Sequence, residues 1–557
     1  MNSYIILLLC FISAVIFLTV RGVINDKKKR DEFLKASIDS FGAFNTISFS
    51  EDEFARVKKL FYTLKDENFI DDITAGDLDI DAFYKKVNRC LSNPGQEYFY
   101  YLLRRQRLKD DELKIRESVV AYLETHEKER NLLISYFARL RGTGKVFFFD
   151  ALNHVCSLKE VSFLKELAYP FILIVSILSL FISSKLGITL IIVSLTINIY
   201  TYYRKKGDLS DCTYCLNFLS KLVKASEGLS NEHIEGLVTE LESLKKLTGE
   251  VSSLKRLSFF VSSDGETGSG NPFELIFVYL KILFHIDILV LAREMRLVKD
   301  KKDSLKEIYL RLGRIESYIS IASLRKGFKD VCVPGHFNGI KAKGLYHPLI
   351  TDPVKNDICE ERGVLITGSN ASGKSTFLKT VALNVLFAGN IHTCFADSFE
   401  AGEYYVFSSM SLKDSLESKD SFYMAEIKAL KRIFDFHEEH PDRKIVCFID
   451  ELLKGTNTVE RIALATQILL NLKKEGILTF AATHDYELAD ILDEEYSNYH
   501  FTEEICNDDI SFNFLFTPGK AVSKNAIKLL GLLGFSEEIV DDAKALADRF
   551  LESGVWK

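Results

Sequence analysis

Three blocks of apolar residues stand out from a chain that elsewhere mixes apolar with charged positions. The first, residues 4–20, is broken only by Ser13 and Thr19. As a helix it would run roughly 25 Å, enough to reach across a bilayer core. Its basic residues (Arg21, then Lys27, Lys28, Lys29 and Arg30) follow the apolar run, whereas a secretory signal carries them in front. The pattern predicts a membrane anchor whose positive flank keeps the rest of the chain in the cytoplasm; a cleaved signal peptide is the alternative. The second block, residues 168–203, holds one charged residue, Lys185, has turn chemistry at residues 183–187, and closes on Arg204, Lys205 and Lys206. It is too long for one crossing and suits two short ones, so it predicts a transmembrane helical hairpin, with a hairpin buried in a soluble domain as the alternative. The third block, residues 273–292, is interrupted by Glu274, Lys281, His285 and Asp287, which predicts a core helix rather than a span.

Between these blocks the periodicity is helical. Ile234, Leu237, Leu241 and Leu244 recur at three- and four-residue spacing, one face of an amphipathic helix. Residues 262–272, rich in Gly and Ser, break the pattern as a loop, and helix signals resume to about residue 330. From about residue 331 short apolar runs alternate with helical stretches. Strands are expected at 364–367, 391–395, 445–449 and 478–482, which describes an α/β domain with a largely parallel sheet. The expected organisation is an anchor over residues 1–30, a helical region over 31–167, the hairpin at 168–203, a second helical region over 204–330, and the α/β domain over 331–557.

Composition narrows this. With 27% charged and 47% hydrophobic residues the chain is neither disordered nor a many-span transporter. A net charge of -7 gives no global attraction to nucleic acid or anionic lipid. The basic clusters at residues 104–107 and 296–302 are interspersed with acids and read as solvated helix faces. Ten scattered cysteines are not a disulfide framework, in keeping with a reducing compartment. Cys212 and Cys215 form one C-x-x-C without a second pair, better read as two buried thiols on a helix than as a zinc or redox site.

The densest chemistry is Gly368, Ser369, Asn370, Ala371, Ser372, Gly373, Lys374 and Ser375, with Thr376 beside them. An apolar strand before this G-x-x-x-x-G-K-S run and a helical stretch after it are the context of a phosphate-binding loop. Backbone N–H groups and the helix start converge on phosphate oxygens, Lys374 reaches the β- and γ-phosphates, and Ser375 offers a hydroxyl to Mg²⁺. Downstream, strand 445–449 runs into Asp450 and Glu451: the first acid is placed beside the metal, the second to activate a water. The next strand ends at Thr483-His484, where a histidine can sense a γ-phosphate. The reading is a nucleoside triphosphatase that uses Mg²⁺; ATP as the nucleotide comes with the resemblance that follows.

These segments, together with Ser421-Phe422-Tyr423-Met424-Ala425-Glu426, the run DELLKGTNT from Asp450, and ATHDYEL from Ala482, resemble the ATPase domain of the MutS mismatch-repair family. So do Gly344-Leu345-Tyr346-His347-Pro348-Leu349 with Asn356-Asp357 ahead of the P-loop, and Ser523-Lys524-Asn525-Ala526 after it. More weakly, residues 92–98 resemble the start of that family's helical core. The resemblance implies a multidomain chain: an α-helical MutS-like core and lever region, here with transmembrane helices, then a P-loop domain of the ATP-binding-cassette class. It also implies a homodimer whose two composite ATP sites are each completed by Ser421 of the other chain. Mismatch readers of the family carry large N-terminal domains with a Phe-x-Glu wedge; no such wedge is found here, and the apolar hairpin falls where those proteins insert a DNA clamp. The chain therefore looks most like a membrane-anchored branch, multi-pass in the cell membrane with its ATPase domain in the cytoplasm. Two outputs stay open: gripping mismatched or structured DNA, or an ATP-driven switch acting on a protein or membrane partner.

Overall fold

The computed structural model describes residues 2–45, 49–141, 147–159, 161–254, 279–368, 372–410, 422–506, 509–520 and 535–553. The loop expected at 262–272, the start of the third apolar block, residues 523–526, and Ser369, Asn370, Ala371 and Ser421 lie outside them. The chain divides into two compact units. One comprises residues 1–64, 87–101 and 118–327; the other comprises residues 65–86, 102–117 and 328–557. Residues 65–86 and 102–117 thus cluster with the α/β part rather than with the helical region in which the sequence reading places them.

The first unit is helical. A single helix, Asn2–Asp39, carries the first apolar block and its basic flank without a break. The second block forms a hairpin: helix Phe163–Leu178, a 3-10 turn at Ser179–Phe181, then the helix Ser184–Ser230. Within it, Phe163–Phe181 and Ser184–Gly207 are long and apolar enough to cross a membrane. At the tip Phe181 and Ile182 are each 88% exposed among the described residues. The reversal falls earlier than the expected 183–187, whose last four residues are already helical. Gly187 sits against Leu180, where a Cβ would lie 2.8 Å from the Leu180 backbone N, so only glycine lets the arms close this tightly.

The base of the hairpin is polar. Glu166, almost fully buried, pairs with Lys205 and accepts from His285 Nδ1 at 3.3 Å. His285 stacks on Tyr169, and Asn198 Nδ2 donates to Leu283 O at 2.9 Å. His285 also breaks the expected core helix: its φ of +51° ends one helical stretch, and Ile286–Asp300 starts a new one. Cys212 and Cys215 are buried on the long helix, and burial pushes the Cys212 thiol up to about 12, which describes inert packing thiols. Deeper in the unit the helix Asn93–Arg104 crosses Lys302–Gly327 closely. Gly313 permits the approach, since a Cβ there would meet Pro94 O at 2.5 Å. Glu316 then reaches the start of the partner helix, accepting from Leu91 N at 2.5 Å and Ser92 N at 3.2 Å.

The second unit is built on two sheets. The smaller has the order β1-β5-β2-β3, from β1 (Gly335–His336), β2 (Ile340–Leu345), β3 (Asn356–Glu360) and β5 (Ser398–Ala401). The larger contains β4 (Val364–Thr367), β6 (Tyr405–Ser409), β7 (Ile445–Asp450), β8 (Leu478–Thr483), β9 (Ser497–Cys506) and β10 (Asp509–Pro518). Its order is β10-β9-β4-β8-β7-β6, parallel throughout except for the β9–β10 hairpin. Strands β4, β7 and β8 fall where the apolar runs place them. The run at 391–395 does not form a strand: His392 has φ +54°, and the pairing there is an isolated antiparallel backbone bridge in which the Cys332 and Cys394 amides exchange hydrogen bonds, with neither cysteine in a disulfide. Its apolar residues are buried for another reason, Phe395 packing edge-on against Phe83 and Phe328. Edge strand β6 is covered by the early segments. Gln106 exchanges both amide bonds with Val406, and Asp77 accepts from Ser408 Oγ at 2.7 Å and Met410 N at 2.9 Å.

Candidate functional site

Adjacent parallel strands β4, β8 and β7 bring three sequence motifs to one edge of the sheet, because their registers align Thr367 with Thr483 and Asp450 with Ala482. After β4 the chain turns at Gly368 (φ +141°) and enters the helix Lys374–Asn390 through Gly373 (φ +102°). Both are conformations that a side chain would strain. At Gly373 a Cβ would also press on Phe514 at 3.1 Å. Lys374 is 2% exposed and its Nζ donates to Gly368 O at 2.7 Å, folded back along the loop. Ser372 is fully buried beneath it.

Ser375 Oγ donates to Asp450 Oδ2 at 2.5 Å, while Asp450 Oδ1 is buried without a hydrogen-bond partner. Burial raises the Asp450 carboxyl above its ordinary value, against the Ser375 bond that lowers it. A buried hydroxyl–carboxylate pair with one orphaned oxygen suits a hard divalent cation, so Ser375 and Asp450 fit Mg²⁺.

Glu451, the second acid, has φ +58°, and its N–H donates to Ala482 O at 2.9 Å, tying it to β8. Its carboxylate is clamped from two sides. His484 Nε2 contacts Oε1, and Lys454 Nζ lies 2.7 Å from Oε2. Burial alone would raise its pKa, but the hydrogen bonds and charges of His484 and Lys454 outweigh it and bring the group down to about 2. His484 is itself steadied from the next residue, where Arg461 grips Asp485 through two bonds of 2.8 and 2.7 Å. Lys454 falls inside the DELLKGTNT run without a role assigned to it, and Arg461 is absent from the residues that sequence reasoning singled out. The i,i+3 spacing of Glu451 and Lys454 was the available signal.

Beside the loop lies a cavity of about 500 Å³, lined by Gly373, Ser375 and Thr376 on one side and by Tyr346, Pro353 and Phe514 on the other. Asn356 fixes the Phe514 segment, donating to Phe514 O at 3.1 Å and accepting from Phe516 N at 2.7 Å. His347 also lines it. Leu349 N donates to its Nδ1, which leaves Nε2 to carry the proton, and that nitrogen is buried without a partner. Burial holds this imidazole down to about 4, in its neutral form.

The G-x-x-x-x-G-K-S run after one strand, the acidic pair at the end of the strand two places away and the histidine after the strand between them meet at one edge of the sheet, an arrangement that suits phosphate binding. Residues 364–551 match the family described as MutS domain V. The chain is 32% identical over 252 residues to the DNA mismatch repair protein MutS of Desulforamulus reducens, covering 42% of this chain and 28% of that protein. It is 29% identical over 222 residues to the corresponding protein of Halothermothrix orenii (37% of this chain, 24% of that one). A third relative is Endonuclease MutS2 of Agathobacter rectalis, 29% identical over 263 residues (43% and 31%). The alignments thus span a quarter to a third of the length of these relatives, and the similarity centres on the segment that matches MutS domain V.

Proposed function

We propose that this chain is a membrane-anchored ATPase that works as a homodimer and faces the cytoplasm. The observation that carries the reading is the pairing of Ser375 with a half-satisfied Asp450 directly beyond the P-loop. In this reading ATP lays its base in the cavity between Tyr346 and Phe514, and its phosphates along Gly368–Thr376. Bound there, Mg²⁺ would neutralise phosphate charge. Lys374 exchanges the Gly368 carbonyl for phosphate oxygens, a swap that leaves its buried charge paired throughout. Glu451, ionised at neutral pH, is released from its clamp to accept a proton from the attacking water, and His484 turns toward the γ-phosphate. Ser421 of a second copy completes each site. Supporting the membrane assignment are the two apolar helices with their exposed tip and the basic residues that follow the first apolar block.

For output we favour a nucleotide-driven switch on a membrane or protein partner, supported by the exposed hairpin and the net charge of -7. The second reading, binding of mismatched or structured DNA, is supported by the relatives' names. Full-length protein purified in detergent should hydrolyse ATP, associate into dimers with nucleotide, and in the Glu451→Gln variant retain ATP while turnover falls by about 10²–10⁴-fold. Unchanged turnover in that variant removes the assignment. Steeply salt-dependent binding to heteroduplex or branched DNA would decide for the second output, and flat, weak binding for the first.

A further inference from the structure

A second cavity, of about 560 Å³, lies wholly within the helical unit. Its volume falls within the range of small-molecule pockets, roughly 300–1,000 Å³. The last turns of Asn2–Asp39 form one wall, the helix Glu51–Leu64 another, and residues 88–97 the floor.

Its charge is unbalanced. Arg56, Arg89 and Arg141 all line it, and among the described residues none of the three has a carboxylate within ion-pair distance. Arg89 is half-buried and donates to the Ser40 hydroxyl, and burial alone lowers its pKa. Arg141 rests on the ring of Phe33, 3.9 Å from its centroid. Two acids share the lining. Glu53 is turned to its own helix start, where it accepts from Ser50 N at 3.1 Å. Glu97 is 4% exposed, and its Oε2 has no hydrogen-bond partner. Burial drives its carboxyl well above the usual range, against the Tyr309 hydroxyl and the Lys59 and Arg56 charges that lower it, and the neutral form this favours can donate a proton to an acceptor. Guanidinium forks and a neutral acid are the groups that recognise a phosphate, since both donate and neither repels it.

We propose that this cavity binds the phosphomonoester or pyrophosphate group of a small soluble molecule, with Arg89 as the principal contact and Glu97 as a hydrogen-bond donor. A lipid headgroup offers the same chemistry. However, Phe33 lies thirteen residues beyond the end of the first apolar block at residue 20, roughly 20 Å along a helix and below the headgroup layer.

The P-loop takes similar ligands, so the test uses the full chain carrying Lys374→Ala, titrated with inorganic pyrophosphate by calorimetry. Saturable binding is expected, weakened by about tenfold or more in Arg89→Gln and retained in Glu97→Gln. Arg56→Gln, which should also weaken binding, serves if the Arg89 variant does not fold. Absence of binding in millimolar pyrophosphate, or equal affinity in the arginine variants and their parent, overturns the site. Repeating the titration in nanodiscs separates the sources. Equal affinity in zwitterionic and anionic bilayers supports a soluble ligand, and competition by the anionic bilayer overturns that assignment.

Discussion

Replacing Lys454 by Met removes one jaw of the clamp on Glu451 and leaves the other, His484, in place. The net downward displacement of the Glu451 carboxyl, from an ordinary 4.5 to about 2, combines a burial penalty with contributions from both jaws, those of His484 ranking ahead of those of Lys454. One pKa step corresponds to about 1.4 kcal/mol in full, but Lys454 is 42% exposed, and solvent screening reduces its part to about 1 kcal/mol. Glu451 should therefore titrate about 0.7 pH unit higher in the variant. Because a stronger base accepts the water's proton more readily, turnover at neutral pH should rise by about twofold. The assay is steady-state ATP hydrolysis by the full chain in detergent, followed from acid to neutral pH. The acid limb of the kcat profile should move upward with the carboxyl. An acid limb that stays put while kcat falls would show that Lys454 serves the phosphates instead, and the clamp reasoning would be refuted.

Three further outcomes are expected. Gly95→Ala would set a methyl 1.9 Å from Glu316 Oε2, displacing a buried carboxyl from the amides it satisfies; a loss of about 2–4 kcal/mol in chemical unfolding is expected, and a change below about 0.5 kcal/mol would refute it. Burial raises the Glu316 carboxyl to about 7, against hydrogen bonds from Ser92 and Leu91 that lower it. The folded state therefore holds this proton longer than the unfolded chain, so the group's contribution is most favourable below the unfolded pKa, is lost progressively up to about pH 7, and is flat above; Glu316→Gln should flatten that slope in denaturant titrations across this range. Arg461→Gln should loosen the His484 segment, lowering kcat while ATP affinity measured by nucleotide fluorescence stays within about threefold, and a matching loss in affinity would count against a positioning role.

The placement of much of the candidate site was legible because buried parallel strands are written as unbroken apolar runs: Val364 to Thr367, Ile445 to Asp450 and Leu478 to Thr483 each lead into the residues to which the chemistry is assigned. The same rule misled at Ile391, where burial comes from an aromatic cluster and a left-handed His392 interrupts the backbone. Burial and strand are different facts that share one sequence signature. The β9–β10 hairpin, which supplies Phe514, was passed over because its strands mix apolar with polar residues and carry a bulge. Long-range pairings such as Gln106 with Val406 leave no local trace at all. The roles of Lys454 and Arg461 escaped notice because their meaning lies in which acid they face, and only the fold decides that.

The 47-residue helix Ser184–Ser230 begins at the hairpin tip, exposed among the described residues, and ends among buried residues such as Leu219, Leu222 and Leu229. It is therefore a stiff rod roughly 70 Å long, with one end gripped by whatever surrounds the tip and the other by packed protein. A rocking of about five degrees about its midpoint shifts each end by roughly 3 Å. On the membrane assignment proposed above, thinning or thickening of the lipid would act on such a beam as a weight acts on a balance arm, turning a material property of the bilayer into a displacement inside the protein.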